Sequence, residues 1–234
     1  MGNGKMRNNI AVPNMEQLNK FNVNRYGEFE AVREPLYDFQ TYVAAGQTSL
    51  TFFQNPIGQL GKTIEDTNME LAGALPQPKN FLIESIEVHF FPAATNADLT
   101  IGPVTVQQNA DALLTRSSFA NDVYIATKLG SLNLFIGSKS YVQQGELMRF
   151  PPKVRLETQF GMMASGIGTA AGINSAVIGD YASAVGKPFS LVPRIRLIPQ
   201  QNFNVSLSWN AVQAISADAR IGIVLDGVLY RESQ

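Results

Sequence analysis

Near the C-terminal end, Phe203, Val205, Leu207 and Trp209 recur at every second position, with Asn202, Asn204, Ser206 and Ser208 around them. This is the pattern of a strand with one dry face and one wet face. Such a dry face needs a second sheet to cover it. Ile195, Leu197 and Ile198 precede this run between Pro193 and Pro199, and Ile221, Ile223, Val224 and Leu225 follow a turn at 216–218. The strongest patterning in the chain is therefore antiparallel β, and Phe203, Val205, Leu207 and Ile223 are expected in the core. Asp226-Gly227, within IVLDGVLYR, reads as a two-residue hairpin turn or as a bulge in one long terminal strand. The bulge is preferred, because only seven residues follow Gly227.

Upstream, residues 46–54 form the first convincing strand, with Leu50 and Phe52 on one face and Thr51 and Phe53 on the other, ended by Asn55-Pro56. The pattern then changes. Thr63, Ile64, Asp66, Met69, Leu71, Ala72 and Leu75 permit a short helix with Gly73 and Pro76 near its end. Residues 81–91 read as a long strand in which Phe81 and Ile83 share a face while Ile86, Val88 and Phe90 continue one position out of step. That slip near Ser85 predicts a β-bulge. Residues 99–106 lean to β but carry Gly102-Pro103, which places them at an edge or bend, and 109–117 fit a helical turn. Leu132, Leu134 and Ile136 mark another strand ending at Gly137, and 154–160 lead on from Pro151-Pro152. Residues 158–179 carry no charge and are rich in Gly, Ala and Ser. Their length invites a membrane span, but Gly161, Gly166, Gly168, Gly172 and Gly179 lower helix propensity and hydropathy, so a long loop is expected. Membrane contact through 158–179, in the manner of a fusion loop, is the minor alternative.

Residues 1–40 read as an extended arm ahead of a β domain spanning 41–234. Asn is frequent in the arm, and Pro13 and Pro35 interrupt any long helix. The aromatics Phe21, Tyr26, Phe29, Tyr37, Phe39 and Tyr42 are more apolar surface than a solvated tail carries. Either they pack on their own domain or they grip a neighbour; the second is the expectation, and it makes these six a subunit interface.

Composition sharpens that expectation. Charged residues make up 16% of the chain, against a usual figure of about 25%, and interface cores are depleted in charge. A formal net charge of −1 gives no general pull toward nucleic acid or anionic membrane, and no sequence-specific nucleic-acid binding is expected. Zero cysteines remove disulfides and thiolate chemistry, and one histidine removes any site needing two imidazoles. The N-terminus lacks the apolar core of a secretory signal.

Candidate chemistry is sparse. His89 falls on the strand face of Glu87, opposite Ile86, Val88 and Phe90, with no Ser or Asp tied to it by a motif. Glu65, Asp66 and Glu70 lack the dense alternating oxygen ligands of a calcium loop and read as a solvated face. Gly166-Ile167-Gly168 lacks the third glycine of a dinucleotide-binding turn. No catalytic residue, cofactor or metal ligand is expected.

Strands separated by irregular excursions, without βα alternation, point to an all-β antiparallel β-sandwich, a single jelly roll with long inter-strand excursions and an extended N-terminal arm. The closing segment ARIGIVLDGVLYRESQ resembles the final strand of the jelly-roll capsid proteins of tailless bacteriophages, where an apolar run meets a Gly, then an aromatic, then Arg. Those positions here are 221–225, Gly227, Tyr230 and Arg231. The resemblance implies a major capsid or coat subunit located in the virion, assembled from copies of itself into a large homo-oligomer, with other virion proteins as further partners and no enzymatic turnover. Two other readings stand beside it. One is a non-capsid virion or filament-forming β-sandwich; the other is a carbohydrate-binding or hydrolytic β-sandwich, which needs an aromatic platform or a carboxylate pair in a cleft.

Overall fold

The alternating run that ends in Trp209 is a strand, and both of its flanks are paired. The structure is a computed structural model that describes residues 29–92, 122–165 and 174–232. In chain order the strands are β1 (Phe29–Arg33), β2 (Leu36–Tyr42), β3 (Ser49–Phe52), β4 (Asn80–Phe91), β5 (Gly130–Ile136), β6 (Lys139–Gly145), β7 (Val154–Ser165), β8 (Asn174–Val185), β9 (Phe189–Leu197), β10 (Phe203–Trp209) and β11 (Ala219–Glu232). One short helix, α1, covers residues 122–128. All strand pairs are antiparallel.

Two sheets pack face to face. The first runs β1–β11–β4–β9, with β2 following β1 along the same edge of β11, and the second runs β3–β10–β5–β6. Counting β1 with β2 as one position, and leaving out β7 and β8, the chain supplies eight positions. Their pairing is nested: first with last (β2·β11), second with seventh (β3·β10), third with sixth (β4·β9), fourth with fifth (β5·β6). The fold is thus an all-β antiparallel sandwich. The 210–218 link does not fold β11 back onto β10; it carries the chain across to the other sheet.

Phe203, Val205, Leu207 and Ile223 are buried as their period-two spacing requires, alongside Phe52, Phe81, Ile83, Ile86, Leu132, Leu134, Ile221 and Leu225. The core is therefore the inner faces of both sheets. Burying each such side chain is worth about 1.5–3 kcal/mol. β11 is one continuous strand with a register shift at Asp226/Gly227, and β4 skips Glu84 in its pairing with β11, so the slip near Ser85 is a real bulge.

Several expectations are corrected. Residues 29–42 are not a free arm: they form β1 and β2, hydrogen-bonded along β11 of their own domain. The domain therefore begins by residue 29 instead of 41, and residues 1–28 lie outside the described part. No α-helix forms between 58 and 78. Gly58, Leu60 and Gly61 take positive φ values of 85°, 51° and 76° around a single 3-10 turn, Gln59–Gly61, and the backbone then turns again at 64–66. Of the stretch 158–179, expected as a long loop, residues 158–165 and 174–179 are strand instead, in the β7–β8 hairpin with its twelve register pairs from Val154↔Val185 to Ser165↔Asn174; 166–173 lie outside the described residues. Weak strand propensity in Gly and Ala is overridden there by continuous pairing with the other arm of the hairpin. Residues 99–106 and 109–117 fall outside the described residues. Among the described residues no helix is long and apolar enough to cross a membrane.

Candidate functional site

Irregularities in three neighbouring strands converge on one cleft. On β4, Ser85 opposes Asp226 of β11 and Ile83 opposes Gly227, so Glu84 is the extra residue. On the other flank, Ile83 opposes Ile195 and Ser85 opposes Ser190, which leaves four residues of β9, 191–194, across from Glu84 alone. Gly227 fixes the close approach of β11 to β4, because a Cβ there would sit 2.1 Å from the Leu82 carbonyl oxygen. Bulges re-aim side chains, and here Glu84, Asp226 and Arg194 all line the same opening.

That opening is a cleft of about 330 Å³, walled by Arg33 of β1, Glu84 and Ser85 of β4, Asp226 of β11, Pro188 just before β9, Ser190, Leu191, Val192 and Arg194 within it, and Lys153 at the root of the β7–β8 hairpin. Arg33 Nη2 donates to Asp226 Oδ2 at 2.7 Å and lies 3.5 Å from Glu84 Oε2. Lys153 Nζ donates to the same Asp226 oxygen at 3.1 Å, and Arg194 Nη1 stands 2.9 Å from Glu84 Oε1. Burial pushes the Asp226 carboxyl up, but hydrogen bonds from Arg33 and Lys153 outweigh it and hold the group below the ordinary carboxylate range. The Arg33 guanidinium is raised in turn by its hydrogen bond to Asp226. Pro188, Leu191 and Val192 line the same opening.

Beside the cleft, the buried carboxylate of Glu87 accepts the Lys153 backbone N–H at 2.8 Å and lies 3.1 Å from His89 Nε2. His89 thus has a carboxylate neighbour two residues away on its own strand, as the alternation of β4 requires. The imidazole sits among Phe39 and Phe91, with ring centroids 6.2 and 5.9 Å away. Among the described residues no group of three His, Asp or Glu side chains is placed to hold a metal ion.

The six aromatics of the expected interface do not form one set. Phe21 and Tyr26 lie outside the described residues. Phe29 opens β1 opposite Glu232. Tyr37 and Phe39 are half-buried, their rings 6.1 Å apart, with the Arg220 guanidinium 4.6 Å over Phe39. Tyr42 is in the core, its hydroxyl donating to the Gln213 carbonyl at 2.6 Å.

A second feature is the ordered excursion between β3 and β4. Asp38 is fully buried at its base, accepts the Phe53 N–H at 2.6 Å and is ion-paired with Lys62, which also donates to the Phe39 carbonyl at 3.1 Å. Burial raises the Asp38 carboxyl, opposed by the hydrogen bonds from Lys62 and Phe53. Asp66 accepts the Thr63 N–H and pairs with Arg220, and Glu70 pairs with Lys79, so Asp66 and Glu70 serve the loop itself. On this scaffold Ile57, Leu60, Ile64 and Leu71 are exposed, Leu60 to 84%.

Sequence reasoning singled out neither Arg33, Glu84, Lys153 nor Arg194. The available signals were the slip near Ser85 and the Asp226-Gly227 pair, which marked two of the three irregular strands without linking them. Trp209 is only 4% exposed, and its indole N–H donates to the Ala126 carbonyl at 2.9 Å in α1, so it offers no stacking platform. No protein-family model, curated protein or solved structure matches this chain.

Proposed function

We propose that the chain is a structural subunit of a virion shell that assembles with copies of itself, and that its sandwich is a single jelly roll. Nested pairing of eight strand positions in two four-position sheets supports the jelly-roll reading, since that architecture consists of two Greek keys rolled together. Fold alone does not assign function. The observation that carries self-assembly is the excursion between β3 and β4, where a buried ion pair orders a loop whose Leu60 is 84% exposed. Ordering a loop costs conformational entropy, and exposing Ile57, Leu60 and Ile64 on it is favourable only if a partner covers them. A chain with 16% charged residues is suited to burying much of its surface between subunits. The virion assignment comes from the resemblance of the closing strand, and the burial of Trp209 weighs against the carbohydrate-binding alternative.

The test is sedimentation of the purified chain and of Leu60→Asp. The wild type should sediment as large particles. The variant should remain a small species with an unchanged melting temperature, because Leu60 contributes little to the core. Particles of undiminished size from Leu60→Asp would remove the loop from the assembly contact.

A further inference from the structure

We propose that the cleft between β1, β4, β9 and β11 binds a single carboxylate carried on a short branched aliphatic chain. Charge comes first. Arg33, Lys153 and Arg194 face Glu84 and Asp226, three positive against two negative, so the lining carries one positive charge in excess. Glu87, on the same strand as Glu84, is taken up by His89 and the Lys153 amide and does not line the opening.

Hydrogen bonding agrees. Arg194 Nη1 is close to Glu84 as an ion pair, yet it is buried and makes no aligned hydrogen bond. The Tyr230 hydroxyl, within electrostatic reach of Arg194 and Glu84, is buried without a partner on a side chain only 3% exposed. A buried polar group left unpaired costs about 1–3 kcal/mol; Arg194 Nη1 has the Glu84 carboxylate at 2.9 Å, so the Tyr230 hydroxyl is the unpaired group in reach of this guanidinium. An arginine fork suits a planar carboxylate. A single excess charge favours a monoanion over a doubly charged phosphate.

The apolar part of the lining selects the rest of the ligand. Pro188, Leu191 and Val192 line the opening, Leu191 being buried as part of the core and Val192 81% exposed. A volume of about 330 Å³ lies at the small end of ligand clefts. It suits a ligand the size of one amino acid.

The experiment titrates the full chain with N-acetylleucine, N-acetylleucinamide and inorganic phosphate at equal ionic strength, following backbone amide resonances. N-acetylleucine should shift Ser85, Ser190 and Val192 saturably. The uncharged amide and phosphate should each bind at least about tenfold more weakly, a difference of about 1.4 kcal/mol. Arg194→Gln should lose about tenfold in affinity while keeping its melting transition. If Arg194→Gln does not fold, Val192→Asp, which alters an exposed lining side chain, should show the same loss. Equal binding of acid and amide, tighter binding of phosphate, no saturable shift, or full affinity in Val192→Asp would each overturn the proposal.

Discussion

Tyr42 and Trp209 meet edge to face with ring centroids 5.3 Å apart, Tyr42 from β2 of one sheet and Trp209 from β10 of the other. The contact ties the first strands of the domain to its far layer, so these residues cannot act as a detachable arm. Replacing Tyr42 by Ala should cost about 3–5 kcal/mol, the range for truncating a large buried aromatic. Chemical denaturation of the purified variant measures this. A loss under about 1 kcal/mol would show that the ring is not integral to the core.

Deleting residues 1–34 removes β1, and should lower the melting temperature through the lost pairing of 29–33 with 228–232. Deleting only 1–28 should leave the melting transition in place. Thermal melts of the two truncations side by side decide this, and equal effects would contradict it.

The Asp38–Lys62 pair is buried, with side-chain exposures of 0% and 11%. Removing one partner leaves an uncompensated charge, so Asp38→Ala should cost about 3–5 kcal/mol. The double change Asp38→Ala with Lys62→Met should recover much of that loss. A double variant as unstable as the single would show that the Phe53 N–H bond to Asp38, rather than the ion pair, holds the loop.

Asp226 predicts the acid limb of stability. Its folded carboxyl binds a proton less readily than in the unfolded chain, where the pKa is about 3.9. Its contribution is therefore fully present above that value and is lost as pH falls through the lower folded pKa. Asp226→Asn should be less stable at neutral pH and show a flatter decline into acid. Melting temperature against pH for both chains measures it, and parallel curves would contradict the assignment.

Gly222 lies between Phe39 and His89 across the sheet, and a Cβ there would approach Phe39 Cδ1 to 2.0 Å. Gly222→Val should cost about 1–3 kcal/mol by displacing the ring. An unchanged midpoint in urea would show that the half-buried ring moves aside freely.

What was legible in the sequence is what local alternation encodes. β10 reads directly from Phe203 to Trp209 because every second side chain enters the core, and the bulge at Glu84 reads from the slipped phase on either side of Ser85. The β7–β8 hairpin was hidden because Gly, Ala and Ser carry little strand propensity and its order comes from pairing with itself. The 58–78 excursion imitated a helix because Ile64, Leu71 and Leu75 happen to sit at compatible spacings, while the buried Asp38–Lys62 pair that shapes it joins residues 24 positions apart. The cleft was illegible for the same reason on a larger scale: Arg33 and Asp226 are separated by 193 positions. Only the nested pairing brings them together.

Self-assembly can be seen by electron microscopy of the purified chain after separation by size. Uniform particles built of many copies, seen as closed shells or regular tubes, are expected. A chain that elutes and images only as a folded monomer, across concentration and ionic strength, would contradict it.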